Sequence, residues 1–201
     1  MSSFPRLETK TLVLEELRES DASGVYRYAS NQKVANTAIW NAHRDIQESL
    51  SYIQTLKNQI SFEAGNIFLA WGVKEKGAPE IIGSVTFLEL GPIRAQIGFV
   101  FHSDHWVSPN PAEALKLVID WAFESFPQFE RIQGRCMPHN ASSTEILNRL
   151  GLQFEGVNHA MVKIRGEIMD LSCHAITRTQ WRNRKREEGG WKIPPQSEGH
   201  I

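Results

Sequence analysis

The alternation of apolar and polar residues changes period several times along this chain, and each change marks an element. Leu12 and Leu14, flanked by Thr11 and Val13, read as a first strand. Glu19-Ser20-Asp21 then opens a helix carrying Val25, Tyr26 and Tyr28. From Asn31 to Arg44 the pattern lapses. Asp45 followed three residues later by Glu48 resembles a capping box, and Ile46, Leu50, Ile53, Leu56 and Ile60 recur at steps of three and four, which predicts an amphipathic helix. Residues 67–73 and 81–90 are β-rich and are separated by a turn containing Gly77 and Pro79, so they predict two antiparallel strands.

Gly91-Pro92 ends the second of these strands, and residues 93–102 supply the next. After a proline-broken loop, residues 112–126 are apolar on nearly every side except for Lys116, Asp120 and Glu124, read as one solvent stripe on a deeply packed helix. Residues 131–137 predict a strand. Asn140 is placed to cap a helix holding Ile146, Leu147 and Leu150, with Gly151 ending it in the left-handed conformation. Residues 152–163 and 167–177 form a terminal hairpin around Arg165-Gly166. This order predicts an α+β domain over residues 1–181, with a mixed, mostly antiparallel sheet flanked by about four helices. Residues 182–201, containing Gly189-Gly190 and Pro194-Pro195, read as a frayed helix end and a flexible tail.

Composition narrows the function classes. The 201 residues carry 22 basic and 23 acidic side chains, so no global field recruits nucleic acid or an anionic membrane. The run Arg182, Arg184, Lys185, Arg186 reads as a solvated face, with a nucleic-acid adaptor as the lesser alternative. No apolar run is long enough to span a bilayer and no signal peptide is evident, which predicts a cytoplasmic protein. Cys136 and Cys173 lie in strand-like segments without metal-ligand spacing, and read as reduced core thiols. His102 and His105 lack a third ligand at compatible spacing, so no metal is expected. Trp40 and His43, inside the lapse, are candidates to line a substrate pocket, against the commoner case of loop aromatics folded over the core. Aromatics in the terminal hairpin or the tail would suit a homodimer.

The chemistry concentrates where the strand at 93–102 meets the helix at 112. First-turn N–H groups of a helix lack internal partners, and the helix dipole favours negative charge, so such a junction suits an anionic ligand. Here the segments LETKTLVLEELRESDA, IIGSVTF, AQIGFVFHSDHW, AEAL, MPHNASSTEILNRLGLQFEG and GEIMD follow one another in order. Together, from Leu7 to Trp181, they resemble the GNAT-superfamily N-acetyltransferases, in the branch of the Rim-type ribosomal-protein acetyltransferases. The resemblance implies a splayed pair of strands admitting the pantetheine arm of acetyl-CoA, and transfer of acetyl to an amine, either a protein N-terminus or a small amine. It implies that the backbone of Phe99 and Phe101 pairs with pantetheine amides and that Asn140 and Ser143 lie beside the thiol end. Ser143 is then a proton donor or water holder, or else a first-turn hydroxyl bonded to the backbone.

Two positions depart from the family pattern. Gln96 stands where many relatives have glutamate, and an amide can orient an amine but cannot deprotonate it. Glu89, on the neighbouring strand, is the substitute base considered. Trp106 is followed by Val107-Ser108-Pro109-Asn110-Pro111 instead of a glycine-rich loop, and proline has no N–H for a phosphate. Asn110-Pro111-Ala112-Glu113 further reads as N-cap, N1 proline and N3 glutamate, a self-capped helix start. Two lost charge-assisted bonds, at about 1.5–3 kcal/mol each, would weaken the coenzyme by about a hundredfold to ten-thousandfold. Alternatively the amides of Val107, Ser108, Asn110 and Ala112 still reach the pyrophosphate. Two functions therefore stand: an acetyl-CoA-dependent N-acetyltransferase, or a coenzyme-impaired binding protein on the same fold.

Overall fold

A computed structural model describes residues 4–187. Eight strands form one sheet: β1 (Leu7–Glu8), β2 (Leu12–Glu16), β3 (Phe68–Glu75), β4 (Ile81–Gly91), β5 (Arg94–Phe101), β6 (Arg131–Cys136), β7 (Gln153–Ile164) and β8 (Glu167–Thr177). Their spatial order is β1-β2-β3-β4-β5-β6-β8-β7. Every neighbouring pair is antiparallel except β5 and β6. That parallel pair needs a crossover, supplied by α4 (Asn110–Ser125).

The strand period of two divides the side chains between two cores. Leu14, Trp71, Val85, Phe87, Ile97 and Ile132 face α4, where Leu115, Val118, Ile119 and Phe123 complete one buried cluster with Leu147 of α5 (Ala141–Arg149). Ala70 and Ile81 face the other way, onto Val25 and Tyr28 of α1 (Ala22–Ala29) and Ile53 and Leu56 of α3 (Ile46–Gln59). Asp45 caps α3 as its spacing predicts, its Oδ1 accepting from Glu48 N–H at 2.9 Å. Arg165 and Gly166 at the tip of the β7–β8 hairpin both have positive φ (53° and 85°), which suits a tight two-residue turn.

The described residues contain six α-helices, two more than expected. The first addition is α2 (Gln32–Ala35), in the segment where periodicity lapses. It is too short for its pattern to register, and is held by the Asn31 side chain accepting from Lys33 N–H at 2.9 Å. The second is α6 (Arg178–Glu187), which runs past Trp181 into the predicted tail. The remainder of that tail, including Gly189-Gly190 and Pro194-Pro195, lies outside the described residues.

Helix α6 also changes the stripe on α4. Trp181 Nε1 donates to Asp120 Oδ1 at 2.6 Å, Lys185 pairs with Glu124, and Lys116 bonds Asp120 Oδ2 at 2.7 Å. The polar row predicted to meet solvent is instead the surface on which α6 docks. Arg178, 5 % exposed, donates to the carbonyls of Phe123 (2.8 Å), Phe126 (2.7 Å) and Phe129 (2.9 Å), so one buried guanidinium satisfies the end of α4. No helix among the described residues is long and apolar enough to cross a membrane.

Candidate active site

The parallel pairing of β5 with β6 begins at Arg94↔Arg131 and stops at Ile97↔Gly134, whereas β5 stays paired with β4 as far as Phe101↔Gly83. From Gly98 onward one edge of β5 is therefore open. His102 N–H donates to Ile82 of β4 (2.9 Å), while Arg131 N–H reaches the Ile93 carbonyl from the other side (3.3 Å). Alternation along the strand then points the peptide groups of Phe99 and Phe101 into the gap. The Phe101 carbonyl accepts from Trp106 Nε1 at 3.0 Å, so one of these groups already has a partner.

A cleft of ≈ 440 Å³ follows this gap, lined by Trp40, Gln96, Phe99, Phe101, Trp106, Asn140 and Ser143 among the residues singled out from sequence. Asn140 organises its far end. Its Oδ1 accepts from Ser143 N–H (3.1 Å) and the Ser142 hydroxyl (3.0 Å), and its Nδ2 spans to the Thr37 carbonyl (3.4 Å) after α2. The Ser143 hydroxyl itself makes no hydrogen bond within the described residues, so it is not spent on the helix backbone.

The other predicted site residues lie elsewhere. His43 sits behind the wall, its ring against Trp40 (5.6 Å) and Tyr52 (5.7 Å) and its Nδ1 2.8 Å from the Ser49 hydroxyl. Burial holds its pKa below the usual imidazole value, favouring the neutral ring. Val107, Ser108, Asn110 and Ala112 do not line the cleft, although Pro111 does. Val107 is 77 % exposed.

The start of α4 corrects the capping prediction. Asn110 is the first residue of the helix and Pro109, at φ −70° and ψ −17°, is the N-cap without any side-chain cap. The Asn110 amide is drawn away to Glu75 Oε1 of β3 (2.7 Å), a charge-assisted bond stronger than the cap it replaces, and Glu113 accepts from the Thr11 hydroxyl (2.9 Å). Amides in this loop are nevertheless occupied. Ser108 N–H donates to the His105 carbonyl (3.1 Å), Asn110 N–H to the Ser108 hydroxyl (3.3 Å), and Glu113 N–H to the Pro109 carbonyl (3.0 Å).

Side chains of β4, β5 and β6 on the α1–α3 face make the opposite wall: Ser84, Thr86, Gln96 and Arg135. Gln133 satisfies its surroundings with its amide oxygen turned to Arg135, accepting from Nε (2.9 Å) and Nη2 (3.0 Å), with the Gln96 amide 3.2 Å away. Tyr52 of α3 faces Ser84, and burial pushes its phenol pKa up to about 12, which keeps it protonated at neutral pH. At the rim, Arg165 donates to the carbonyls of Ala35 (2.7 Å) and Trp40 (3.4 Å), tying the hairpin tip to the loop that carries Trp40. Arg135, Tyr52 and Arg165 carried no sequence signal, because only strand register and chain crossing bring them here. Glu89 is not in this cleft: its carboxylate accepts from the amides of Gly65 (2.8 Å) and Ile67 (3.3 Å). Among the described residues no three His, Cys, Asp or Glu side chains converge as metal ligands.

A mixed sheet opens where β5 outruns β6, with a helix N-terminus beside the opening, and comparison with known proteins identifies the family that shares this arrangement. The Acetyltransferase (GNAT) domain family profile matches residues 11–153. The uncharacterized N-acetyltransferase YoaA of Bacillus subtilis (strain 168) is 27 % identical over 177 residues, covering 87 % of this chain and 98 % of that protein. RimJ of Mycobacterium smegmatis, solved with CoA-disulfide, superposes with a TM-score of 0.73 at 20 % identity, over 92 % of this chain and 94 % of that one. The microcin C7 self-immunity acetyltransferase MccE, solved with acetyl-CoA and AMP, gives a TM-score of 0.73 at 20 % identity, over 84 % and 93 % of the two chains. The chain belongs to the GNAT acetyltransferase family and shares the fold of the Rim-type enzymes.

Proposed function

We propose that the chain is an acetyl-CoA-dependent N-acetyltransferase that acetylates a primary amine on a protein N-terminus or a small molecule. The observation that carries the reading is the open edge of β5 from Gly98 to Phe101, which leads to Asn140 and Ser143. The unpaired peptide groups of Phe99 and the Phe101 N–H fit the amides of a pantetheine arm as an added strand would. When bound, the coenzyme supplies an activated acetyl carbonyl and a thiolate leaving group. The amine attacks that carbonyl, the new C–N bond forms as the C–S bond breaks, and the proton lost by nitrogen ends on sulfur. Ser143, with its hydroxyl free, is placed to pass a proton to the sulfur, and Gln96 orients the acceptor without taking its proton.

The fit is weaker at the phosphate end. Pro109 and Pro111 have no N–H, the amides of Ser108 and Asn110 are turned inward, and the carboxylates of Glu75 and Glu113 stand close to the helix start. These observations favour the second reading, a binding protein with impaired coenzyme affinity. Calorimetric titration with acetyl-CoA, followed by thiol release in the presence of an amine panel, separates the two. Saturable binding with thiol release supports the enzyme. Absence of binding at millimolar coenzyme removes it.

A further inference from the structure

We infer that the acceptor amine carries an anionic group, a carboxylate or phosphate, within a few bonds of its nitrogen, and that Arg135 receives it. This names the substrate class of the site proposed above and rests on that reading. Arg135 is the one permanently charged side chain lining the cleft among the described residues, and no Asp, Glu, Lys or His joins it there. It projects from β6 on the same face as Gln96, Ser84 and Thr86, the face opposite α4. Acid that could have neutralised it is taken by its strand neighbour: Arg131 pairs with Glu155 on β7. Arg135 is instead held by a neutral amide, with Gln133 accepting from Nε and Nη2 at 2.9 and 3.0 Å. A half-buried guanidinium that is geometrically fixed but electrostatically unpaired is poised for an external anion, because its desolvation has been met while its charge has not.

The same cation bears on the missing base. By pairing with the acceptor's own anion, Arg135 cancels the negative charge that would otherwise raise the amine's pKa, so the bound ammonium loses its proton to solvent more readily than the free acceptor does. Gln96, being neutral, does not oppose this, whereas a glutamate there would pair with Arg135 and cancel it. The arginine therefore substitutes charge for proton abstraction, and recruits its acceptor by the acid that a simple alkylamine lacks.

The test uses acceptor pairs that differ in their acid: aspartic acid 1-amide against asparagine amide, which are isosteric and one charge apart, and O-phosphoserine amide against serine amide, which differ by the whole phosphate. Each is titrated calorimetrically into the full chain and assayed for thiol release. The acidic member of at least one pair is expected to be preferred by about 10- to 100-fold, the range of a charge-assisted bond. The preference should shrink as ionic strength rises, persist in part in Arg135→Lys, and disappear in Arg135→Gln, whose acetyl-CoA Kd should match that of the unaltered protein. Arg135→Glu should turn the preference toward lysine amide. Equal binding of both members of both pairs, or a preference that survives Arg135→Gln, overturns the inference. So does a parallel loss of acetyl-CoA affinity in Arg135→Gln, which would assign the arginine to the coenzyme. Charge-selective binding without thiol release with any amine would keep Arg135 as the receiver of the anion and instead remove the enzymatic reading, and with it the ligand's role as acceptor.

Discussion

Ser143 and His174 show how little of a residue's role lies in its type. A hydroxyl in the first turn of a helix ordinarily bonds the nearby backbone, but Asn140 already takes the Ser143 N–H, and the Ser143 hydroxyl is left facing the cleft. Ser143→Ala is expected to lower kcat by about tenfold or more, with little change in acetyl-CoA Kd. A steady-state rate within twofold of the original would return Ser143 to a bystander. His174 is 1 % exposed, and neither ring nitrogen has a hydrogen-bond partner. Burial lowers its pKa from the ordinary 6.5, so below that pH the unfolded chain takes up a proton that the folded one resists. Stability is therefore full above 6.5 and is lost as pH falls through the lowered folded value, with His43 and His102 shifted in the same direction. Thermal unfolding should move to lower temperature between about pH 7 and 5, and His174→Leu should flatten that slope.

At the scale of elements, the two ends of α4 carry opposite fortunes. Its start lacks a side-chain cap and has Pro109 as N-cap and Pro111 in its first turn, so few amides are left to turn toward a phosphate. A Pro109→Gly, Pro111→Ala variant restores two N–H groups and the freedom to aim them, and should tighten acetyl-CoA by about tenfold or more in a calorimetric titration. Unchanged affinity would mean that these amides never mattered. The helix end is closed by Arg178, whose guanidinium holds three carbonyls. Arg178→Ala should cost about 3 kcal/mol or more in urea denaturation, since buried carbonyls are then left unpaired. Arg178→Lys should recover only part, because a single ammonium cannot reproduce the planar fork.

Over the whole molecule, the cleft exists because three distant stretches meet: the loop after α2, the open edge of β5, and the start of α5. Asn140 joins the first to the third through the Thr37 carbonyl, and Arg165 pins the same loop from the hairpin tip. Removing the pin in Arg165→Ala should raise the KM for the amine several-fold without a matching change in acetyl-CoA affinity if, as proposed, the loop that carries Trp40 lines the acceptor side of the cleft.

The sequence alone determined the order of the larger elements and the α+β class, because strand and helix periods, the Asp45 and Asn140 caps and the glycine at 151 act over a few residues, and its ordered motifs carried the resemblance to the family. It also marked Gln96, Phe99, Phe101, Asn140 and Ser143, which the fold brings to one cleft, as a strand edge and a helix start allow. It misread the beginning of α4, where a carboxylate 35 positions earlier, Glu75, outbids the local cap. It offered His43 as a candidate for the site against the commoner case of a loop aromatic folded over the core, and packing against Trp40 and Tyr52 sets the ring behind the wall. Arg135, Tyr52 and Arg165 were beyond its reach. Their importance comes from register, from which acid a neighbour has already taken, and from which loop a hairpin crosses, and those are decided only when the chain closes on itself.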